Sequence, residues 1–293
     1  MATGEYNAAH IMFGKLGEGQ FGVVFKLATG GHVYALKKLK EVSHIDGKRL
    51  EDEVQTLTRC TDHPNIAKVI TTWIDADINI QMEYCNLGTL NDYVIKNRPG
   101  ERTLNCFMLD MARGIRHLHT QRIIHRDVKP SNVLLVARPH HIPICKITDA
   151  GLARLTFPFS DLASISPTYY MSTGLCTPLY VAPDVFSGHY STASDIFSLG
   201  VVFYAIHSMQ TFHVKNKTFL YPVLPQSNGM FHCAREGEIK RAVTMHVFNA
   251  QKADLVSSML ELQLWSRPGA DTVESTIRSL QMVTRRHGSC TLV

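Results

Sequence analysis

One stretch limits what this chain can fold into more than any other: Ile123-Ile-His-Arg-Asp-Val-Lys-Pro-Ser-Asn132, running on into Val-Leu-Leu. It sets a carboxylate (Asp127), an ammonium two residues on (Lys129) and an amide five residues on (Asn132) in a polar loop between two apolar runs. A fold that accepts it must deliver the chain from one buried element to the next while holding three polar side chains together. In-line phosphoryl transfer calls for those three types. The carboxylate orients an incoming hydroxyl and takes its proton, the ammonium offsets charge on the moving group, and the amide oxygen holds a divalent cation. A polar turn between two strands is the plainer reading, and the surrounding segments decide between them.

At 293 residues the chain has room for one large domain or two smaller ones. Its 45% hydrophobic and 19% charged content supports an ordinary globular core. The net charge of +5 comes from scattered Lys and Arg, so nucleic-acid binding is not expected. Seven cysteines, at 60, 85, 106, 145, 176, 233 and 290, show no C-x-x-C pair and point to reduced thiols in an intracellular setting, cytoplasm or nucleus. Met-Ala-Thr-Gly-Glu-Tyr at the start has no signal pattern. The longest apolar run, Ile196 to Ile206, falls well short of the ~20 residues a membrane span needs. No transmembrane segment is expected.

Residues 11–39 alternate apolar and polar with glycines at the turns, which predicts antiparallel strands. Within them lies Leu16-Gly17-Glu18-Gly19-Gln20-Phe21-Gly22-Val23-Val24. G-x-G-x-x-G is shared with dinucleotide-binding folds, but here a strand with Ala35 and Lys37 follows, with no helix opening at the glycines. The glycines therefore fit a hairpin whose backbone amides approach phosphates. From Arg49 a helical stripe begins (Leu50, Val54, Leu57) with Glu53 beside it, just before His63-Pro-Asn-Ile66. Ile78 to Cys85, with Met82 and Glu83, predicts a strand, and Leu104 to His119 a buried helix. Cys145-Lys-Ile-Thr-Asp149-Ala150-Gly151 follows a Pro/His turn. Ser160 to Thr173 is rich in hydroxyls, and Thr177-Pro-Leu-Tyr-Val-Ala-Pro-Asp184 comes next. Tyr190 to Phe203 is apolar all round, which predicts a buried helix. Residues 212–236 lack periodicity and are expected to be a loop or insertion; helices are expected at roughly 237–262 and 270–285.

In this order the motifs resemble those of the eukaryotic protein kinase superfamily, in its serine/threonine form, over residues 11 to 285. The resemblance implies an α+β, bilobal fold: a small antiparallel-sheet N-lobe with one main helix, and a larger, mainly helical C-lobe. It implies an extension at 1–10, lobes at 11–85 and 86–285, and a tail at 286–293. ATP and Mg²⁺ are the implied cofactors and protein hydroxyls the implied substrate. Asp127 becomes the catalytic base, Lys129 the charge stabiliser, and Asn132 and Asp149 the metal ligands. Lys37 would contact the phosphates and pair with Glu53. The glycine loop from Leu16 to Val24, with Ala35, Met82, Glu83, Cys85 and Leu134, would bind the nucleotide. Arg126 would grip a phosphorylated Ser160–Thr173 segment, and Thr177 would brace Asp127 and Lys129. Asp184 would pair with Arg267, and Asp195 would tie its helix to the catalytic loop. Lys129-Pro and Thr177 follow the serine/threonine branch. Thr89 and Ser131 stand where basophilic members carry acids, so no demand for basic substrate residues is implied.

Two departures matter. Ala150 stands where the family carries the phenylalanine of D-F-G, so the alternative is a pseudokinase or weakly active nucleotide-binding scaffold. Asp184 replaces the glutamate of A-P-E. A small-molecule kinase is disfavoured by the Lys-Pro, Ala-Pro-Asp and activation-segment set. Residues 187–200 are similar to the small group of animal kinases that includes serine/threonine kinase 35 and its PDZ/LIM-interacting relatives. At the tail, Cys290-Thr-Leu-Val293 fits a prenylation spelling, and Thr-Leu-Val a ligand for a PDZ-domain partner; processing at Cys290 would remove the second. An inert tail is the plainer reading.

Overall fold

In a computed structural model the alternating residues 11–39 become three strands, β1 (Ile11–Gly19), β2 (Gly22–Thr29) and β3 (His32–Leu39). The structure describes residues 11–19, 22–39, 58, 61–75, 77–150, 179–187, 190–214, 217–225, 231–233, 243 and 250–288. Gln20, Phe21, Glu53, the Ser160–Thr173 segment, Thr177 and the Cys290 tail lie outside them.

The chain divides into two compact units, Met1–His63 with Ala67–Asn86, and Pro64–Ile66 with Leu87–Val293. The smaller is built on one antiparallel sheet of order β1-β2-β3-β5-β4, with β4 at Val69–Ile74 and β5 at Ile78–Glu83. Gly30 and Gly31, both at positive φ, make the tight β2–β3 turn, where two consecutive left-handed residues match the strand twist. Between β4 and β5, Asp75 closes the turn by accepting from the Asp77 amide (2.9 Å) and Trp73 Nε1 (3.2 Å). Those hydrogen bonds, the Asp77 amide first, hold its carboxyl below the usual range. Val23, Leu27, Leu36, Leu39, Ile78 and Ile80 are buried and supply much of this unit's core.

The larger unit starts with α1 (Leu90–Asn97) and α2 (Glu101–Thr120). Thr89 caps α1 by accepting from the Asp92 amide at 3.1 Å. In α2, Leu104, Phe107, Met108, Met111, Ile115 and Leu118 form the buried stripe that the sequence spacing predicts. A Cβ on Gly114 would lie 2.8 Å from both the Asn65 carbonyl oxygen and Ile147 Cδ1, so glycine is what lets α2 press this close. A polar loop follows, then a 3₁₀ turn (Pro130–Asn132) and the hairpin of β6 (Val133–Arg138) and β7 (His141–Ile147). Pro64–Ile66 docks on β7: Asn65 donates from Nδ2 to the Cys145 carbonyl (3.0 Å) and accepts the Ile147 amide (2.9 Å).

Helix α3 (Thr192–Ser208) is buried on nearly every side, in line with its mainly apolar sequence. It packs on α4 (Ala250–Met259), where a Cβ on Gly200 would come within 2.9 Å of Met259 Cβ. Helix α5 (Ala270–Gly288) packs on α2, pinned by buried Glu274, which ion-pairs with Arg113, Arg116 and Arg278. Between α3 and α4 the expected loop at 212–236 is instead two hairpins, β8 (Thr211–Val214) with β9 (Lys217–Leu220), and β10 (Val223–Pro225) with β11 (Phe231–Cys233). Strands of three and four residues complete too few alternations to show a period, and Pro and Asn masked them further.

Candidate active site

Residues 123–132 are held from beneath by a buried carboxylate. Asp195, 1% exposed, accepts the amides of His125 (2.8 Å, Oδ2) and Arg126 (2.9 Å, Oδ1), and His119 Nε2 lies 2.9 Å from Oδ2. Those bonds fix Arg126 at φ 71°, a left-handed conformation that a long side chain seldom adopts and that surrounding structure must hold. His125 is fully buried; its Nε2 lies 2.9 Å from the Thr148 carbonyl, and its Nδ1 accepts the Asp127 amide at 3.2 Å. The Arg126 guanidinium lies over the Tyr190 ring, 5.3 Å from its centroid.

The candidate catalytic groups sit on that base. Asp127 is 7% exposed, and its Oδ2 takes Lys129 Nζ (2.8 Å) and Asn132 Nδ2 (2.8 Å). Asn132 Nδ2 also donates to the Asp127 carbonyl at 2.8 Å. One carboxylate oxygen is thus tied down, while the other, Oδ1, is buried without a hydrogen-bond partner. A buried acceptor left unsatisfied is costly, which makes it a position set for a ligand's donor.

Asp149 is brought to the same end of the β6–β7 ladder. The Thr148 amide donates to the Asn132 carbonyl (3.0 Å), next to the Val133–Ile147 pair. Asp149 has φ 65°, the second strained residue of this site. Since Asn132 gives its amide nitrogen to Asp127, its side-chain oxygen is the group left to offer. An amide oxygen and a carboxylate on adjoining segments make an all-oxygen donor set, which suits a hard divalent cation completed by phosphate oxygens and water. No group of three His, Cys, Asp or Glu gathers for a metal among the described residues. Ala150 is buried at 7% exposure.

Asp184 and Arg267 form a buried ion pair at 2.6 Å. The guanidinium also donates to the carbonyls of Glu261 (2.7 Å), Ala193 (3.0 Å) and Leu262 (3.2 Å), and stacks on Phe197. The other Asp184 oxygen accepts from the Ser194 hydroxyl. The shorter aspartate therefore reaches its partner, with each of the three guanidinium nitrogens donating to an oxygen.

In the smaller unit, β1 and β2 close on the Gly19–Gly22 pair, with register shifts between Met12 and Gly14 and between Lys15 and Gly17. Gly22 (φ 145°) is obligatory: a Cβ there would fall 1.9 Å from the Lys38 carbonyl oxygen. Leu16 is exposed, Glu18 ion-pairs with Lys15, Val23 is buried and Val24 half-buried. Lys37 is buried on β3, in register with Val24 on one side and Ile80 on the other. Ala35 pairs with Met82 on β5, and both are buried. Glu83 receives the Lys68 amide on Oε1 (2.7 Å) and returns its own amide to the Lys68 carbonyl (2.9 Å); Cys85 is buried beyond it. In the larger unit, half-buried Leu134 lies on β6 and bridges Thr89.

Three residues with no role in the sequence analysis carry this architecture: His125, His119 and Asn65. His125 lies inside the diagnostic stretch, but its work is hydrogen bonding to Thr148, which spacing does not show.

The domain model described as "Protein kinase domain" matches residues 11–276. The chain belongs to the protein kinase family. Among curated relatives it is 28% identical over 267 residues to a Drosophila melanogaster protein named membrane-associated tyrosine- and threonine-specific cdc2-inhibitory kinase, covering 89% of this chain and 45% of that one. It is 24% identical over 273 residues to Wee1-like protein kinase 1-B of Xenopus laevis, covering 87% of this chain and 43% of that one. The chain thus spans less than half the length of these relatives. The kinase domain carries the α+β architecture, an antiparallel-sheet unit and a mainly helical one. No helix among the described residues is long and apolar enough to cross a membrane.

Proposed function

We propose that this kinase domain is catalytically active and transfers the γ-phosphoryl group of Mg-ATP to serine or threonine hydroxyls of proteins. The observation that carries the reading is Asp127: one oxygen is fixed by Lys129 and Asn132, and the other is buried and unpartnered. A pseudokinase has no need to hold a base in that state.

Asp127 Oδ1 would accept the hydrogen bond of the acceptor hydroxyl and then its proton as the oxygen attacks phosphorus. Lys129, already against Oδ2, would offset charge on the phosphoryl oxygens. Asn132 Oδ1 and Asp149 would hold Mg²⁺, which when bound neutralises the phosphates. Lys37 and the backbone amides of the glycine hairpin would hold the phosphates, with Glu53 orienting Lys37. Ala35, Met82, Leu134 and the backbone at Glu83 and Cys85 would receive the adenine. Serine/threonine acceptance is favoured by Lys129-Pro130 and Thr177. The name of the Drosophila relative includes tyrosine as well as threonine, which makes the acceptor the first thing to measure.

Phosphoamino-acid analysis of radiolabelled peptide libraries should give phosphoserine or phosphothreonine; phosphotyrosine as the main product would overturn the assignment. An Ala150→Phe variant runs alongside. Comparable turnover in both forms is expected. A silent parent with an active Ala150→Phe would mean that the chemistry is present and the working conformation is not.

A further inference from the structure

The segment Thr211-Phe-His-Val-Lys-Asn-Lys-Thr-Phe-Leu220 carries His213, Lys215 and Lys217 and no acid. Its hairpin, β8–β9, is anchored more firmly than a connection between helices needs. Buried Asn91 on α1 donates from Nδ2 to the Thr218 carbonyl (2.9 Å) and accepts the Leu220 amide on Oδ1 (2.8 Å), so one carboxamide reads the β9 backbone as a neighbouring strand would. Tyr180 is buried and donates its hydroxyl to the Leu220 carbonyl at 3.0 Å. The Tyr221 amide bonds the Gln210 carbonyl (2.8 Å), and the Phe212 ring stacks on Tyr221 at 4.9 Å.

Tyr180 lies within Thr177–Asp184, the stretch that the kinase resemblance implies would receive the acceptor peptide. The hairpin is therefore bonded directly to that stretch, while Phe212, His213 and Lys217 stay exposed on it. Asp92, the acid beside the anchor, has its oxygens engaged by the Thr89 hydroxyl (2.8 Å) and the Asn91 amide (3.0 Å). An exposed ring and exposed Lys217, on a segment that carries no acid between Thr211 and Leu220, are complementary to an acidic, extended segment.

We propose that the β8–β9 hairpin is an accessory docking surface for the acidic flank of protein substrates, with Lys217 as its principal charge. The proposal rests on the kinase reading above, but its test does not need turnover. Fluorescence anisotropy of the full chain would compare serine peptides bearing Glu on one or the other flank with Gln-substituted counterparts. An acidic peptide should bind about five- to tenfold more tightly than its Gln form, the scale of one or two exposed ion pairs. Lys217→Glu should bring the ratio to about one, Lys217→Arg should keep it, and about 0.5 M salt should abolish it. A parent ratio under about twofold for both flanks, no binding at all, or a ratio unchanged in Lys217→Glu would overturn the proposal at an exposed position whose substitution spares the fold. Failure of phosphotransfer with the ratio intact would instead strike at the kinase reading.

Discussion

The two motif-bearing regions of this molecule are built in opposite ways. In the larger unit the candidate catalytic loop rests on hydrogen bonds to groups elsewhere in the chain: Asp195 and Thr148 each meet it within 2.9 Å, and His119 lies 2.9 Å from Asp195 Oδ2. In the smaller unit the described strands of the glycine hairpin pair as a bulged backbone ladder whose outer strand leaves Met12, Phe13 and Leu16 exposed. Reacting groups must be held to within a fraction of an ångström, and buried carboxylates that accept several donors do that. A backbone proposed to bind phosphates needs room and amides, which glycine supplies. The difference teaches that damage to the first region should come through lost partners, and damage to the second only through steric intrusion.

The first region can be broken most severely at its flank. Asp184→Ala would strand the Arg267 cation, whose side chain is 0% exposed. A loss of about 3–5 kcal/mol in urea unfolding is expected; a loss under about 1 kcal/mol would mean that the carbonyls around Arg267 suffice. Asp195→Ala removes the acceptor of two buried amides and should cost about 3 kcal/mol, with transfer activity falling even where the fold survives. A stable, fully active Asp195→Ala protein would show that the loop holds its own shape.

A proton can probe the same unit. His207 Nδ1 donates to the Phe203 carbonyl (2.8 Å), and its Nε2 is buried without a partner. Burial, with Lys252 adding to it against the opposing pull of the Phe203 carbonyl and Glu101, lowers its pKa from 6.5 to about 4. The unfolded chain therefore takes up the proton first as the solution is acidified. This contribution is complete above about pH 6.5 and is lost as pH falls toward 4, amounting to about 3 kcal/mol. Urea midpoints at pH 7.5 and 5.0 should show the slope in the parent and a shallower one in His207→Gln; parallel slopes would contradict it.

The smaller unit should respond to volume alone. Gly22→Ala places a methyl 1.9 Å from the Lys38 carbonyl oxygen at φ 145°, and should cost about 1–3 kcal/mol and weaken ATP binding. Gly17→Ala meets nothing within 4 Å at an ordinary φ and should change stability by less than about 0.5 kcal/mol. Equal effects at the two glycines would erase the contrast drawn above.

How much of this was legible depended on whether the signal was contiguous. Asp127, Lys129 and Asn132 lie within six residues, so their grouping could be read directly, as could the strands at 11–39 and the helix ending near His119. The Asp184–Arg267 pair was found only because the family resemblance says where to look, since 83 residues separate its members. Asn91 and the β9 backbone are 127 and 129 residues apart, and a lone asparagine gives no sign of its acceptor. The hairpins at 211–233 escaped because strands of three or four residues are set by pairing rather than by pattern. His125 was in plain view, but its burial and its bond to Thr148 are facts of packing.

The most direct test of the central claim compares the parent with Asp127→Asn. Both proteins, matched for thermal stability and for Mg-ATP affinity, would be given γ-labelled ATP and a mixed serine/threonine peptide array. The account predicts measurable transfer by the parent and a loss of at least about a thousandfold in Asp127→Asn, the scale expected when a positioned base and its orienting charge are both disturbed. Equal transfer in the two proteins, or none in the parent while Mg-ATP is bound, would contradict the claim that Asp127 is held for catalysis.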